Sequence, residues 1–292
     1  MSIAKITLLF SILALLFIVF GAIIGFFLGN FILWISIFFV LAVGINVFSY
    51  YKSDSIAIKS TKTVLIQRSD NPRFYDIVKK TAEKAGIPMP RVGIMKSDVP
   101  NAFATGRNKD HAVVVATSKI LDMLDDAELE AVIGHEISHI THDDILITTI
   151  AATIAMIISY LGNIIIFSEL FGGMEGRNSS SSYLLILAAI LIPMGAMFVQ
   201  LGISRSRELD ADIGSVKLVK KPDELISSLE KISKPAKTPI TKRTAAPQQS
   251  AYSSLFIVNN FTGHSLLNLF STHPSLDKRI AAIKQVKREM GL

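Results

Sequence analysis

The chain has 292 residues, half of them hydrophobic and only 18% charged, with a mean hydropathy of +0.46; these values suit a membrane protein carrying a water-exposed part better than one soluble domain. The absence of cysteine excludes disulfides and every thiolate metal site, so any metal must be held by His, Asp or Glu, and it accords with a reducing compartment. The formal charge of +6 is scattered beside apolar runs and forms no nucleic-acid motif, which points to an anionic lipid surface and away from DNA or RNA.

An uncharged apolar run extends from Ile6 to Leu28, Gly29-Asn30 interrupts it, and a second run continues from Phe31 to about Tyr50. Each is as long as the roughly 20 residues that cross a hydrocarbon core. The first is too long for the apolar part of a cleaved signal peptide and a second follows at once, so residues 1–50 are read as an uncleaved transmembrane hairpin. Lys5 precedes it, Lys52, Lys59, Lys62 and Arg68 follow it, and its turn carries no charge. That asymmetry predicts a cytoplasmic location for both ends.

Residues 51–144 are read as the first part of an α+β domain. Tyr75 to Ala85 has helical patterning, Gly86-Ile87-Pro88-Met89-Pro90 ends it, and Arg91 to Met95 and His111 to Ala116 have the pattern of short strands. A better-marked helix follows. Asp125 or Asp126 can cap it, Glu128 occupies the capping-box position relative to Asp125, and Leu129, Val132, Ile133, Ile137 and Ile140 form its apolar stripe. It contains His135-Glu136-Ile137-Ser138-His139. Residues four apart share a helix face, so His135 and His139 can bind one zinc ion while Glu136 projects beside it towards a water, the H-E-x-x-H arrangement of zinc hydrolases. So short a pattern also arises by chance, and the rest of the chain must supply the missing parts.

Two further uncharged stretches, Ile145 to Phe167 and Tyr183 to Ile203, flank a Gly- and Ser-rich segment. Residues 145–203 are read as a second transmembrane hairpin, with a buried amphipathic hairpin as the alternative. Residues 204–292 are read as the second part of the catalytic domain. They hold helical patterns from Ser204 to Lys221 and from Pro222 to Ile232, a proline-containing loop from Lys234 to Gln249, and a basic amphipathic helix from Asp277 to Glu289 whose plain role is packing.

A catalytic zinc usually has three protein ligands. A metzincin would place glycine at 142 and histidine at 145; here they are His142 and Ile145, which excludes that class. His139 lies six positions before Ile145 and Glu208 five positions after Ile203, so both stand roughly 8 to 9 Å from the membrane edge and a transmembrane hairpin brings them to one depth. Glu208 is therefore the best third ligand. Asp212, one turn on, can orient a ligating histidine through its other ring nitrogen. The competing reading of Arg205 to Asp212 is a solvated juxtamembrane helix. His142 is a rival ligand, but helical rotation carries it away from His135 and it reads as a surface histidine. Asp143 and Asp144 read as the end of the motif helix at the membrane interface, where Asp144 could also hold a partner.

With these residues in place, the chain resembles the HtpX family of membrane zinc metallopeptidases, gluzincins distantly related to the CAAX prenyl endopeptidases. The likeness runs through the N-terminal hairpin, Asn101-Ala102-Phe103-Ala104-Thr105-Gly106, the His135 to His139 helix, the second hairpin, Ser204 to Asp212, and Ser271-Thr272-His273-Pro274. It implies an integral membrane α-helical protein with a cytoplasmic α+β zincin-like metalloprotease domain and one zinc ion per chain. It also implies His135, His139 and Glu208 as zinc ligands, Glu136 as catalytic base and Asp212 as their support. Two further roles come from the resemblance alone: Asn101 as a contact to the substrate backbone beside an edge strand, and His273 as the group stabilising the oxyanion. The implied substrates are polypeptides, membrane proteins above all, degraded in quality control at the cell membrane. Leu209 replaces a usual aromatic residue and Ser275 a usual second proline. A catalytically idle zinc-binding scaffold is the rival reading; the intact Glu136 argues against it. A small transporter would carry ionisable residues along its spans, and Ile6 to Leu28, Ile145 to Phe167 and Tyr183 to Ile203 carry none.

Overall fold

The computed structural model describes residues 2–151, 153, 205–233 and 274–292. Two long helices open the chain, α1 (Ser2–Leu28) and α2 (Phe31–Ser60), where the uncharged runs predict them. They reverse at Gly29 and Asn30, both with positive φ, and the Asn30 side chain accepts a hydrogen bond from the Leu33 amide. Close packing of the pair depends on small residues: a Cβ on Gly21 would stand 2.8 Å from the Trp34 carbonyl oxygen, and one on Gly25 2.8 Å from the Phe31 Cα. Phe26, Ile32 and Val40 face outward and are exposed. Among the described residues, one segment, Phe31–Lys52, is long and apolar enough to cross a membrane by length and composition.

Beyond Lys52, α2 continues as a stem into the folded domain. Ile58 packs against Phe103, Val113 and Val115, and Asp54 pairs with Arg91 at 2.9 Å. The sheet holds β1 (Val64–Ile66), β2 (Arg91–Met95), β3 (Ala102–Thr105) and β4 (Val113–Thr117) in the order β1-β2-β4-β3. The β2–β4 pair is parallel, the other two pairs antiparallel, and β3 forms an edge. The predicted strand from His111 begins two residues late, because Asn108 caps a short 3-10 turn at Lys109–His111. β1 and β3 lie outside the predicted strands: one has three residues, and the other, Ala-Phe-Ala-Thr, lacks a β-branched run.

The helix α3 (Pro72–Ala85) starts before the predicted Tyr75, because Asn71 caps it and Pro72 fits its first turn; Gly86 ends it at φ 65. After the short α4 (Ser118–Met123) comes α5 (Asp126–Thr141), started by a complete capping box between Asp125 and Glu128. Later in the described residues come α6 (Arg205–Val219), α7 (Pro222–Ser233) and α8 (Leu276–Glu289). The central α5 contributes Leu129, Ile133 and Ile137 to a core shared with Val114, Val216 and Ile283. Its buried Glu130 receives Lys84 at 2.7 Å and Lys221 at 2.6 Å, which ties α5 to α3 and to the α6–α7 link.

The motif helix does not end in an acidic pair as predicted. It stops at Thr141 with His142 as C-cap, Asp143 turns the chain at φ 58, and a further helix begins at Asp144. That helix runs up against the first hairpin, where Ile150 packs with Leu13, Phe17 and Ala42. Most of the two predicted spans within 145–203, the loop at 234–249 and His273 lie outside the described residues.

Candidate active site

The site forms where α5 and α6 approach each other through small residues. A Cβ on Gly134 would meet the Ser215 Oγ at 2.7 Å, and one on Gly214 would meet the Ser138 Oγ at 2.5 Å. The Ser215 hydroxyl donates to the Ala131 carbonyl at 2.6 Å. Glu208, Asp212 and Ser215 recur at helical spacing on α6, so the contact that seats Ser215 also turns the two carboxylates towards His135 and His139.

The two Nε2 atoms of His135 and His139 lie 3.2 Å apart. The Glu208 carboxylate stands 3.7 Å from the first and 3.4 Å from the second. Each Nδ1 faces another carboxylate: that of His135 is 2.8 Å from Asp212, and that of His139 is 3.4 Å from Asp144. An ionised carboxylate only accepts, so each Nδ1 carries the ring proton and each Nε2 presents a lone pair. With both rings neutral, three acceptors thus converge without a donor, their ligand atoms all within 4.8 Å of one another. Atoms bound tetrahedrally at 2.0–2.1 Å from a zinc ion stand about 3.3 Å apart. The spacing and the His2Glu chemistry both fit zinc, and a cysteine-free chain offers no softer set.

Electrostatics point the same way. Burial opposes charge on His139, but hydrogen bonds to Asp144 and Glu208, with the charge of Glu136 behind them, push it up to about 10. The cluster therefore demands a cation, whether a proton or a metal ion. Glu136 is buried on α5 at 4% exposure and its charge is felt at both His139 and Arg279.

Arg279 was absent from the sequence-derived site. It lies fully inside the protein and forms a two-pronged pair with Asp212, Nε at 2.7 Å and Nη2 at 2.6 Å. Burial opposes ionisation of Asp212; the Arg279 charge overrides it and holds the carboxyl below the usual carboxylate range. The available signal was positional. Arg279, Ile283 and Val286 recur at helical spacing, so an arginine sits on the apolar face of α8, where Ile283 and Val286 are buried. A packing helix would keep that position apolar; this one sends a cation to the metal cluster.

Among the other predicted residues, His142 is exposed, as expected of a surface histidine. Asp144 begins a helix where the sequence reading ends one, and it does hold partners as that reading allowed: it is buried, faces His139 and pairs with Arg207. Asn101 is buried at the start of β3, its amide donating to the Thr117 Oγ1 at 2.9 Å and its carbonyl accepting from the Thr117 amide at 2.8 Å. β3 in turn packs against α5. His273 lies outside the described residues.

Comparison with known proteins gives a consistent result. Residues 68–287 match the model of peptidase family M48. The protease HtpX homolog of Campylobacter hominis is 41% identical over 98% of this chain and 99% of its own length, and that of Pyrococcus furiosus is 44% identical over 87% of each. Among solved structures, the crystal structure of S. mikatae Ste24p shares the fold, with a TM-score of 0.50 and 19% identity. The alignment covers 97% of this chain and spans 65% of the Ste24p chain.

Proposed function

This chain belongs to peptidase family M48 and is an HtpX-like zinc-dependent endopeptidase, and from that premise we propose a multi-span membrane enzyme whose catalytic face is cytoplasmic and whose substrates are damaged or misassembled membrane proteins. The observation that carries the catalytic part is the all-acceptor cluster of His135, His139 and Glu208 with a buried carboxylate beside it. Support for the topology comes from the lysines flanking the first hairpin and from the packing of Ile150 against Leu13 and Ala42. The site lies a few residues from the junction with those apolar helices, which favours substrates held in or at the bilayer.

His135, His139 and Glu208 would hold a single zinc ion. When bound, zinc supplies Lewis acidity, polarising a carbonyl and bringing the pKa of a coordinated water towards 7. The chain's own residues divide the remaining work. Asp212 keeps the ring proton of His135 on Nδ1. Glu136 takes the proton of the attacking water and returns it to the leaving amine nitrogen, a transfer that needs a carboxylate and is lost with an amide. β3, an edge of the sheet, can accept an extended peptide as an added strand, with Asn101 at its start contacting the peptide backbone. His273, on the strength of family resemblance, is assigned to the negative oxygen of the tetrahedral intermediate.

The test compares detergent-purified wild type with Glu136→Gln for cleavage of casein and of a misfolded membrane protein, after chelation and restoration of zinc. The expected result is about one zinc ion bound by both proteins and loss of at least roughly 100-fold in cleavage by the variant. Equal cleavage by the two proteins overturns the role of Glu136. A wild type that binds zinc and cleaves neither substrate supports the scaffold alternative.

A further inference from the structure

We infer that Asp144 and Arg207 act as a positioning pair for His139 and make the metal centre sensitive to the junction between α5 and the apolar helix that follows it. The inference rests on the zinc-peptidase reading above and adds two residues to it. The two histidines are supported by relays built alike. His135 faces Asp212, which is gripped by Arg279; His139 faces Asp144, which is gripped by Arg207. In each relay a carboxylate fixes the Nδ1–H tautomer and ring angle, and an arginine holds the carboxylate.

The relays differ in where their parts come from. Asp212 and Arg279 belong to α6 and α8, both packed into the domain core. Asp144 is the first residue of the helix that leads into the apolar stretch 145–167, and Arg207 lies four positions after Ile203, where the stretch 183–203 ends. One contact thus joins the position just before the first of these apolar stretches to a position just after the second. Arg207 also reaches back to α5, its Nη1 standing 3.4 Å from the carbonyl oxygen of His142, the C-cap. Between α5 and Asp144 lie only His142 and Asp143, and Asp143 holds the left-handed conformation at φ 58. So tight a link leaves little slack, and a shift of the outgoing helix moves Asp144 relative to His139. The His139 contact, at 3.4 Å, is longer than the 2.8 Å of its counterpart. His139 is thus the more loosely held of the two histidines.

The experiment measures zinc affinity of the full-length protein in detergent by competition with a chromogenic chelator, alongside thermal unfolding of the zinc-free proteins. Asp144→Asn is expected to weaken zinc binding about 10- to 100-fold, and Arg207→Gln several-fold. The exposed Asp210 on α6 supplies the control, since Asp210→Asn removes the same charge nearby and is expected to leave affinity within about twofold. The exchange Asp144→Arg with Arg207→Asp keeps an ion pair but puts a donor against the His139 Nδ1–H, and is expected to stay as weak as Asp144→Asn. Recovery of wild-type affinity in the exchange variant means a mere structural strap and overturns the positioning role, as does unchanged affinity in Asp144→Asn. Should Asp144→Asn fail to fold, Arg207→Gln decides: unchanged affinity overturns the pair. A wild type that binds no zinc overturns the metallopeptidase reading itself, an outcome distinct from the others.

Discussion

Arg279 and Asp212 bury opposite charges in the same pocket, 3% and 0% exposed, and neither is tolerable there alone. Replacing Arg279 with Met leaves an uncompensated carboxylate, so the variant is expected to lose about 3–5 kcal/mol in a denaturant unfolding experiment. Adding Asp212→Asn removes the orphaned charge and is expected to recover part of that loss, a coupling that a double-mutant cycle reads directly. Zinc affinity follows a different course: it falls in Arg279→Met and stays low in the double variant, because the amide no longer holds the His135 Nδ1–H as a carboxylate does. A double variant with wild-type zinc affinity would place Arg279 in folding alone.

For the helices, the decisive distance is the one between α5 and α6, set by Gly134 and Gly214. Leucine at 214 must displace Ser138, whose Oγ would lie 2.5 Å from the new Cβ, and with it the helix that carries His139. Gly214→Leu is expected to cost about 1–3 kcal/mol as overpacking and to weaken zinc binding at least tenfold, since a shift of about 1 Å takes Glu208 out of reach. Among the described residues nothing lies within 4 Å of a Cβ placed on Gly44 of α2, so Gly44→Leu is expected to change neither the melting temperature nor zinc affinity. The contrast separates a glycine needed for contact from one that merely lies in an apolar run.

Across the whole molecule, pH and metal act through linkage. Burial raises the cost of charging Glu130, yet Lys221, Lys84 and Lys80 overcome it and hold its carboxyl at about 2, below its ordinary value of 4.5. A carboxylate depressed on folding stabilises fully above its unfolded pKa and loses that contribution as pH falls towards the folded value. The stabilisation, about 2–3 kcal/mol, is thus complete above pH ~4.5 and lost between there and pH ~2. Unfolding measured between pH 6 and 3 is expected to show a shallower acid slope in Glu130→Gln than in wild type. Metal removal acts on the same equilibrium: with zinc at 100 times its Kd, binding contributes about 2.7 kcal/mol, so chelation is expected to lower the melting temperature by about 5 °C or more.

Local chemistry alone determined a good deal. Uncharged runs announced α1 and α2, Asp125 and Glu128 announced the start of α5, and the order of short motifs led to the family, because each signal is written in neighbouring residues. The strand β1 was not legible and β3 was implied only by the resemblance, as the edge strand beside Asn101, since one is three residues long and the other alanine-rich, and only pairing with β2 and β4 holds them extended. Arg279, Asp144 and Arg207 were not legible as parts of the site for a related reason. Their contacts join positions 67 and 63 residues apart, and whether a charged side chain faces solvent or a buried carboxylate depends on what packs against its helix. The histidines and Glu136 could be named from spacing within one helix, and Glu208 and Asp212 from their place just after the second apolar hairpin; that Asp144, Arg207 and Arg279 join them was decided by the tertiary packing around α5, α6 and α8.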